Sequence, residues 1–199
     1  MTRIIGGSAR GRRLRTPPGN STRPTADRVR EALFSALESE LGTISGLHVL
    51  DLFAGSGAVG LEARSRGASS VTLVEADRAT AAVIRQNVKD LGFDHVDVAV
   101  ARVERWVDQV GGPPAFDVVY ADPPYPMSTP QVADLLGRLV VSGRLAEDAV
   151  VVVERSRRGE DWVWPIGLEG VREKRYGETM LFYGRVQSTD TAPTPPGSS

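Results

Sequence analysis

The sequence contains no cysteine and only two histidines among 199 residues. The lack of cysteine excludes disulfide bonds, cysteine-ligated zinc and a cysteine nucleophile. His48 and His95 stand alone in the sequence, so no metal site is predicted. No apolar run approaches the length of a membrane span, and the first residues lack the apolar core of a signal peptide. We therefore expect a monomeric cytoplasmic protein without a membrane partner.

Charge is nearly balanced over the whole chain, with a net charge of −1, but it is unevenly distributed. The first thirty residues contain eight arginines and a single acid, Asp27, whereas the remainder carries a charge of −8. A basic arm on an acidic body predicts contact with nucleic acid, and a solvated disordered tail is the alternative. The predicted RNA contacts are Arg3, Arg10, Arg12, Arg13, Arg15, Arg23 and Arg28.

Short apolar segments alternate with amphipathic ones from residue 47 onward. Predicted strands are 47–53, 70–75, 96–101, 116–122 and 149–154; predicted helices are 25–41, 57–66, 78–91, 102–110 and 129–140. Segments 171–176 and 178–183, joined at Gly177, predict a closing antiparallel hairpin. The pattern indicates an α/β fold: a doubly wound, mostly parallel Rossmann-like sheet, as in class I methyltransferases.

Three divisions of the chain are predicted. Residues 1–20 form a basic arm, within which 3–16 read as a small β-hairpin. Residues 21–185 form the methyltransferase domain. Residues 186–199, rich in Thr, Pro, Ser and Gly, are expected to be disordered.

A glycine-rich turn follows the first predicted strand, in the segment Asp51–Gly60. Small residues there allow a tight turn and close approach of a ligand, and Gly55, Gly57 and Gly60 also satisfy the dinucleotide spacing. Asp51 favours S-adenosylmethionine instead, because its carboxylate would attract a cationic amino-acid group and repel a pyrophosphate. The predicted cofactor-binding residues are Asp51, Phe53, Ala54, Gly55, Ser56, Gly57, Glu75, Ala76, Arg102, Val103 and Asp122.

The tetrapeptide Asp122-Pro123-Pro124-Tyr125 directly follows the fourth predicted strand, and all four residues are the predicted catalytic group. An exocyclic amine of a nucleobase is a poor nucleophile because its lone pair is delocalised into the ring. The Asp122 carboxylate and the Pro123 carbonyl can accept its two N–H groups, which orients the lone pair and stabilises positive charge developing on nitrogen. The two prolines remove N–H donors, and Tyr125 offers a face for stacking on the base.

The acid at position 122 indicates guanine as the base. Guanine presents N1–H and N2–H side by side, and one carboxylate can accept both. An Asn amide would better match the acceptor and donor edge of adenine. Adenine N6 remains the alternative acceptor.

Five segments together resemble the RsmD family of bacterial methyltransferases. They are Arg3-Ile-Ile-Gly-Gly, Gly11-Arg-Arg-Leu, the segment from Arg23 to Phe34, the segment from Asp51 to Glu62, and Asp122–Tyr125. The resemblance runs from residue 3 to about residue 184. It implies methylation of N2 of one guanine in 16S ribosomal RNA, guanine 966, within a small-subunit particle. It also implies that the hairpin grips RNA and that the base is turned out of its stack.

Three other functions remain as alternatives. A DNA or RNA adenine-N6 methyltransferase would use the same chemistry. An RNA-binding ribosome assembly factor would keep the fold without turnover, but the intact Asp51, Glu75 and Asp122 argue against it. A nicotinamide dehydrogenase would leave Asp122–Tyr125 without a role.

Overall fold

The computed structural model describes residues 2–17, 24–109, 111–112 and 114–187. The helices in this part of the chain are α1 Pro24–Leu41, α2 Ala58–Ser65, α3 Arg78–Leu91, α4 Val103–Gln109 and α5 Thr129–Val141. The strands are β1 His48–Leu52, β2 Ser70–Glu75, β3 Val96–Val100, β4 Phe116–Ala121, β5 Leu145–Ser156, β6 Leu168–Tyr176 and β7 Thr179–Val186. None of the described helices is long and apolar enough to cross a membrane.

The strands form one sheet in the order β3-β2-β1-β4-β5-β7-β6. The first five strands pair in parallel, and β7 inserts antiparallel between β5 and β6. The predicted Rossmann-like methyltransferase sheet and its closing hairpin are therefore confirmed. Strand order reverses between β1 and β4, and in such sheets ligands bind beyond the carboxyl ends of the strands at that point.

Each face of the sheet has its own apolar core because side chains alternate along the strands. One face packs Val49, Val118 and Val152 against α1, α2 and α3. The other packs Leu50, Val119 and Val151 against α4 and α5. Asp51 and Tyr120 alternate along their strands in step with the residues of the first face, so their side chains point to that face. The polar groups at the carboxyl edge therefore lie on the side of the sheet that α1, α2 and α3 cover.

The N-terminal segment, residues 2–17, is packed against this first face. Arg3 and Arg13 form a single antiparallel bridge, so the predicted hairpin is present with minimal pairing. Ile4 and Leu14 are buried in the core. The segment is thus anchored by apolar burial, and a basic surface is built on its outer side.

Glu62 of α2 fastens the segment to the body. Its fully buried carboxylate accepts the backbone N–H groups of Ile5 and Gly6, both at 2.7 Å. Arg66 Nε donates to it at 2.9 Å, and Arg30 Nε lies 3.6 Å away. Two cations and two backbone donors therefore neutralise one buried carboxylate, which is the condition for burying a charge at tolerable cost.

Candidate active site

The glycine-rich turn lies where predicted, between β1 and α2. Gly55 and Gly57 have φ of 55° and 77°, in the left-handed region that favours glycine. A Cβ built on Gly55 would meet only Phe53 O, at 4.0 Å, so the turn is open on that side. Gly60 has a different role, since a Cβ there would lie 2.4 Å from Leu73, and it permits close packing of helix on strand.

Phe53 also has a positive φ, 66°, which is rare for a bulky residue. It joins the end of β1 to the glycine turn, where Ala54 N–H donates to Val74 O at 2.9 Å. Backbone conformations of this kind are concentrated at functional sites. The backbone conformation of the turn is therefore set by its glycines and by Phe53 together.

Asp51 is buried beneath the turn. Its Oδ2 accepts the N–H of Gly60 at 3.0 Å, at the first turn of α2. Burial raises the pKa of Asp51 to about 7; the Gly60 bond acts against this rise, and the nearby Glu75 adds to it. Asp51 thus shapes the turn from below, a role that the sequence reading did not assign to it.

Glu75 ends β2 and faces the same turn. Its Oε2 accepts the N–H of Gly55 at 2.9 Å, and its Oε1 accepts that of Asp77 at 2.8 Å. A carboxylate has about four acceptor positions, so both oxygens can still receive ribose hydroxyls. Ala76 follows as an exposed residue at this edge.

Arg102 and Val103, the predicted cofactor-binding residues that follow β3, lie in different environments. Arg102 is exposed beyond β3, whereas Val103 is 3% exposed and belongs to the core beneath α4. Arg102 is therefore available to a ligand at the edge. Val103 packs among Leu50, Leu52 and Val74.

The Asp122–Tyr125 tetrapeptide leaves β4 at the same edge. Asp122 contacts solvent, Pro123 is buried, and Tyr125 is 90% exposed, which leaves its ring free to stack on a base. The Pro124 carbonyl accepts the N–H of Met127 at 2.9 Å. The Pro124 carbonyl is therefore already used within the loop, which turns back on itself at this point.

Partial removal from water raises the pKa of Asp122, and the carboxyls of Glu154 and Asp51 raise it further, against the effect of Arg155. The site therefore concentrates acidic groups at the ends of β1, β4 and β5. Among the described residues, no group of three or more His, Cys, Asp or Glu is arranged to hold a metal ion.

Sequence reasoning left Glu154 and Tyr120 outside the site. The structure places Glu154 at the end of β5, and Tyr120 Oη donates to its Oε2 at 2.5 Å. Arg155 Nη2 donates to Met127 O at 2.9 Å, which ties β5 to the loop after the tetrapeptide. The missed signal was the acidic end of the fifth strand, directly beside β4 in this fold.

The predicted RNA-contacting arginines fall into two groups. Arg3, Arg10, Arg13 and Arg28 are exposed. Arg12 donates to Asp90 O at 2.5 Å, and Arg15 pairs with the Asp90 carboxylate at 2.9 Å. Arg23 lies outside the described residues. Arg30, counted in the basic arm, is buried and bonded to Arg3 O, so its charge serves the interior.

Comparison with known proteins shows the family of this chain. The family model described as Conserved hypothetical protein 95 matches residues 2–185. Ribosomal RNA small subunit methyltransferase D of Escherichia coli strain K12 is 40% identical over 152 residues, covering 76% of this chain and 73% of the relative. The chain belongs to the RsmD family.

Further members of the RsmD family extend the match along the chain. The enzyme of the same name from Haemophilus influenzae is 33% identical over 177 residues, covering 88% of this chain and 89% of the relative. The solved structure of the Escherichia coli protein yhhF has a TM-score of 0.81 and 32% identity, covering 94% of this chain and 98% of that one. The resemblance read from the sequence is therefore confirmed from end to end of the described fold.

Proposed function

We propose that this protein transfers a methyl group from S-adenosylmethionine to the exocyclic N2 of a guanine in 16S ribosomal RNA, corresponding to guanine 966, within a small-subunit particle. The observation that carries the proposal is the position of Asp122 and the exposed Tyr125 directly beside the glycine turn, at the switch point of the sheet. Relatives named ribosomal RNA small subunit methyltransferase D supply the RNA class.

The residues at the carboxyl edge fit S-adenosylmethionine. Gly55 leaves its side of the turn open, and Glu75 presents both carboxylate oxygens at the end of β2. Glu75 gives this edge an acidic group that suits a cationic ligand, while Asp51 lies buried beneath the turn and holds its shape through Gly60. When bound there, S-adenosylmethionine supplies an electrophilic methyl group on a sulfonium.

Asp122 and Pro123 would receive the amino group of the base. The Asp122 carboxylate accepts one N–H and the Pro123 carbonyl accepts the other, so the nitrogen lone pair is aimed away from both. Tyr125 stacks on the ring after the base leaves its stack. As the nitrogen–carbon bond forms, the amine sheds one proton, and a carboxylate with a raised pKa is a suitable group to take it.

The exposed arginines of the N-terminal segment would hold the RNA backbone beside the pocket. Arg10 and Arg13 are exposed on the outer side of a segment whose inner side is packed on the core. Phosphate contacts position an RNA without reading its sequence, so the choice of base belongs to the pocket.

Methyl transfer from labelled S-adenosylmethionine tests the proposal, with free 16S RNA and isolated small subunits as parallel substrates. We expect label in the RNA with the wild-type protein and incorporation that is about 100- to 1000-fold slower with Asp122→Ala. Asp161→Asn, a change at an exposed acid, is the matched control and should keep wild-type activity. Label incorporation that is equal in Asp122→Ala and wild type would contradict the proposal.

A further inference from the structure

A buried tyrosine–glutamate pair stands directly behind Asp122. Tyr120 is 6% exposed, and its hydroxyl donates to Glu154 Oε2 at 2.5 Å. A buried phenol hydroxyl needs a hydrogen-bond acceptor, and Glu154 supplies one. However, burying this carboxylate beside the carboxylate of Asp122 costs free energy of folding. An apolar residue at position 154 would avoid that cost, so the pair calls for a functional explanation.

Strand register brings Glu154 beside Asp122. In the parallel pairing of β4 and β5, Tyr120 is opposite Val152 and Ala121 is opposite Val153. The next residue on each strand is Asp122 on one side and Glu154 on the other. Neighbouring strands lie about 4.8 Å apart, so side chains on the same face at matching positions are close neighbours.

The two carboxyls have unequal surroundings. Burial raises the pKa of Glu154, and the hydrogen bond from Tyr120, together with the nearby Thr179, acts against that rise. Within the described residues, the Asp122 side chain forms no hydrogen bond. Charged or titratable groups face Asp122 from β1 (Asp51), β4 (Tyr120) and β5 (Glu154 and Arg155).

We propose that Glu154, held by Tyr120 and placed beside Asp122 by the β4–β5 register, is a positioning residue for methyl transfer that acts through Asp122 by setting a second negative charge next to the carboxylate that takes the proton of the amine. The proposal rests on the proposed function. Glu154 itself touches neither base nor methyl donor. In the step concerned, the nitrogen–carbon bond forms as the methyl–sulfur bond of the donor breaks, and the electron pair of that bond stays on sulfur, which leaves as a neutral thioether. One N–H bond of the amine breaks, and the proton passes to an Asp122 oxygen.

The test is a titration of the Asp122 carboxyl in the cofactor-free protein, followed by NMR with ¹³C-carboxyl-labelled aspartate and assigned with Asp122→Asn. In Glu154→Gln the nearby negative charge is gone while the size is kept. We expect the Asp122 midpoint to fall by about one pH unit, equivalent to a tenfold change in acidity. Glu178→Gln, at an exposed glutamate paired with Arg158, should leave it unchanged.

Tyr120→Phe supplies a second variant. Loss of the phenol hydroxyl lets Glu154 hold its proton to higher pH, so the Asp122 midpoint should move in the same direction by a smaller amount. Far-UV circular dichroism melts check that both variants fold. If Glu154→Gln does not fold, the Tyr120→Phe titration decides the outcome.

The pH dependence of kcat gives the functional readout. Since Asp122 must be ionised to act, its acid limb should move to lower pH by about one unit in Glu154→Gln. An Asp122 midpoint and acid limb that both stay in place in a folded variant would overturn the inference and leave Glu154 with a packing role. Absence of methyl transfer by the wild type would instead overturn the proposed function, while the titration would still decide the pair.

Discussion

Two carboxylates, Glu62 and Asp122, show how differently one fold treats the same chemical group. Glu62 is fully buried and is surrounded by donors: the N–H groups of Ile5 and Gly6, the Arg66 guanidinium and, at 3.6 Å, that of Arg30. Asp122 contacts solvent, but its partial removal from water raises its pKa, and the carboxyls of Glu154 and Asp51 raise it further.

The difference separates a structural carboxylate from a functional one. Protein donors replace water around the buried Glu62 carboxylate, so this carboxylate is not available to a substrate. Asp122 lies beside like charges, which costs stability. Its carboxylate remains free to accept a hydrogen bond from a ligand. Such unfavourable local arrangements are typical of active sites, where stability is given up for function.

Asp122→Ala should have the largest effect. Loss of the acceptor that orients the amine should lower kcat by about 100- to 1000-fold, as for removal of one preorganised transition-state contact. Calorimetry should show unchanged S-adenosylmethionine affinity. A variant that loses cofactor binding and activity together would place Asp122 in the cofactor site alone.

Asp122→Asn should show how much the Asp122 carboxylate lowers the free energy of unfolding at each pH. The raised pKa of Asp122 means that the folded state resists ionisation, so wild-type stability falls as pH rises from the ordinary value of 3.8 through the raised one. The free energy of unfolding of Asp122→Asn, from urea titrations, should exceed that of wild type increasingly toward alkaline pH. The difference should vanish at acid pH; a difference independent of pH would contradict the argument.

Glu62→Gln should have the next largest effect, on stability. It removes the buried negative charge that lies 2.9 Å from Arg66 and 3.6 Å from Arg30. Removal of one partner from a buried ion pair costs about 3 kcal/mol. Urea denaturation measures this loss. Glu38→Gln, which changes a half-exposed partner of Arg66, should cost less than about 1 kcal/mol. Equal losses in the two variants would refute a special role for Glu62.

Glu75→Ala should weaken S-adenosylmethionine binding by about tenfold or more. The change removes the acceptor of the Gly55 N–H and, in the proposed site, the acceptor of the ribose hydroxyls, each a charge-assisted bond. Isothermal calorimetry measures the affinity. Asp77→Ala, which removes the N-cap of α3, is the control and should lower stability with little change in affinity.

Arginine variants of the N-terminal segment should have the smallest effects. Arg10→Ala and Arg13→Ala should each reduce the salt dependence of RNA binding by about one phosphate contact. Arg15→Ala should matter less, because Asp90 already pairs with that guanidinium at 2.9 Å. Fluorescence anisotropy across a salt series measures all three; a larger slope change for Arg15→Ala would reverse the assignment.

Deletion of residues 1–20, the predicted basic arm, would not be a selective test of RNA binding. It would remove Ile4 and Leu14 from the core and expose the apolar surface beneath them. It would also strip Glu62 of its backbone donors. Point changes at exposed arginines are therefore the cleaner experiment.

Local sequence signals predicted the elements well. Strand β2 and helix α3 match their predicted bounds, and the glycine turn and the tetrapeptide fall where expected, because glycine, proline and period-two patterns act over a few residues. The role of Glu62 escaped prediction because its partners Ile5 and Gly6 are 57 and 56 residues away. The Tyr120–Glu154 pair was not predicted for the same reason. The two residues are 34 positions apart in the sequence, and only the strand order of the sheet brings them within hydrogen-bond distance.

Nucleoside analysis of the methylated product tests the central claim most directly. Small subunits are incubated with the protein and labelled S-adenosylmethionine, the 16S RNA is digested to nucleosides, and the labelled nucleoside is identified and mapped. We expect N2-methylguanosine at a single position. Label in N6-methyladenosine would contradict the assignment of Asp122 as a guanine acceptor.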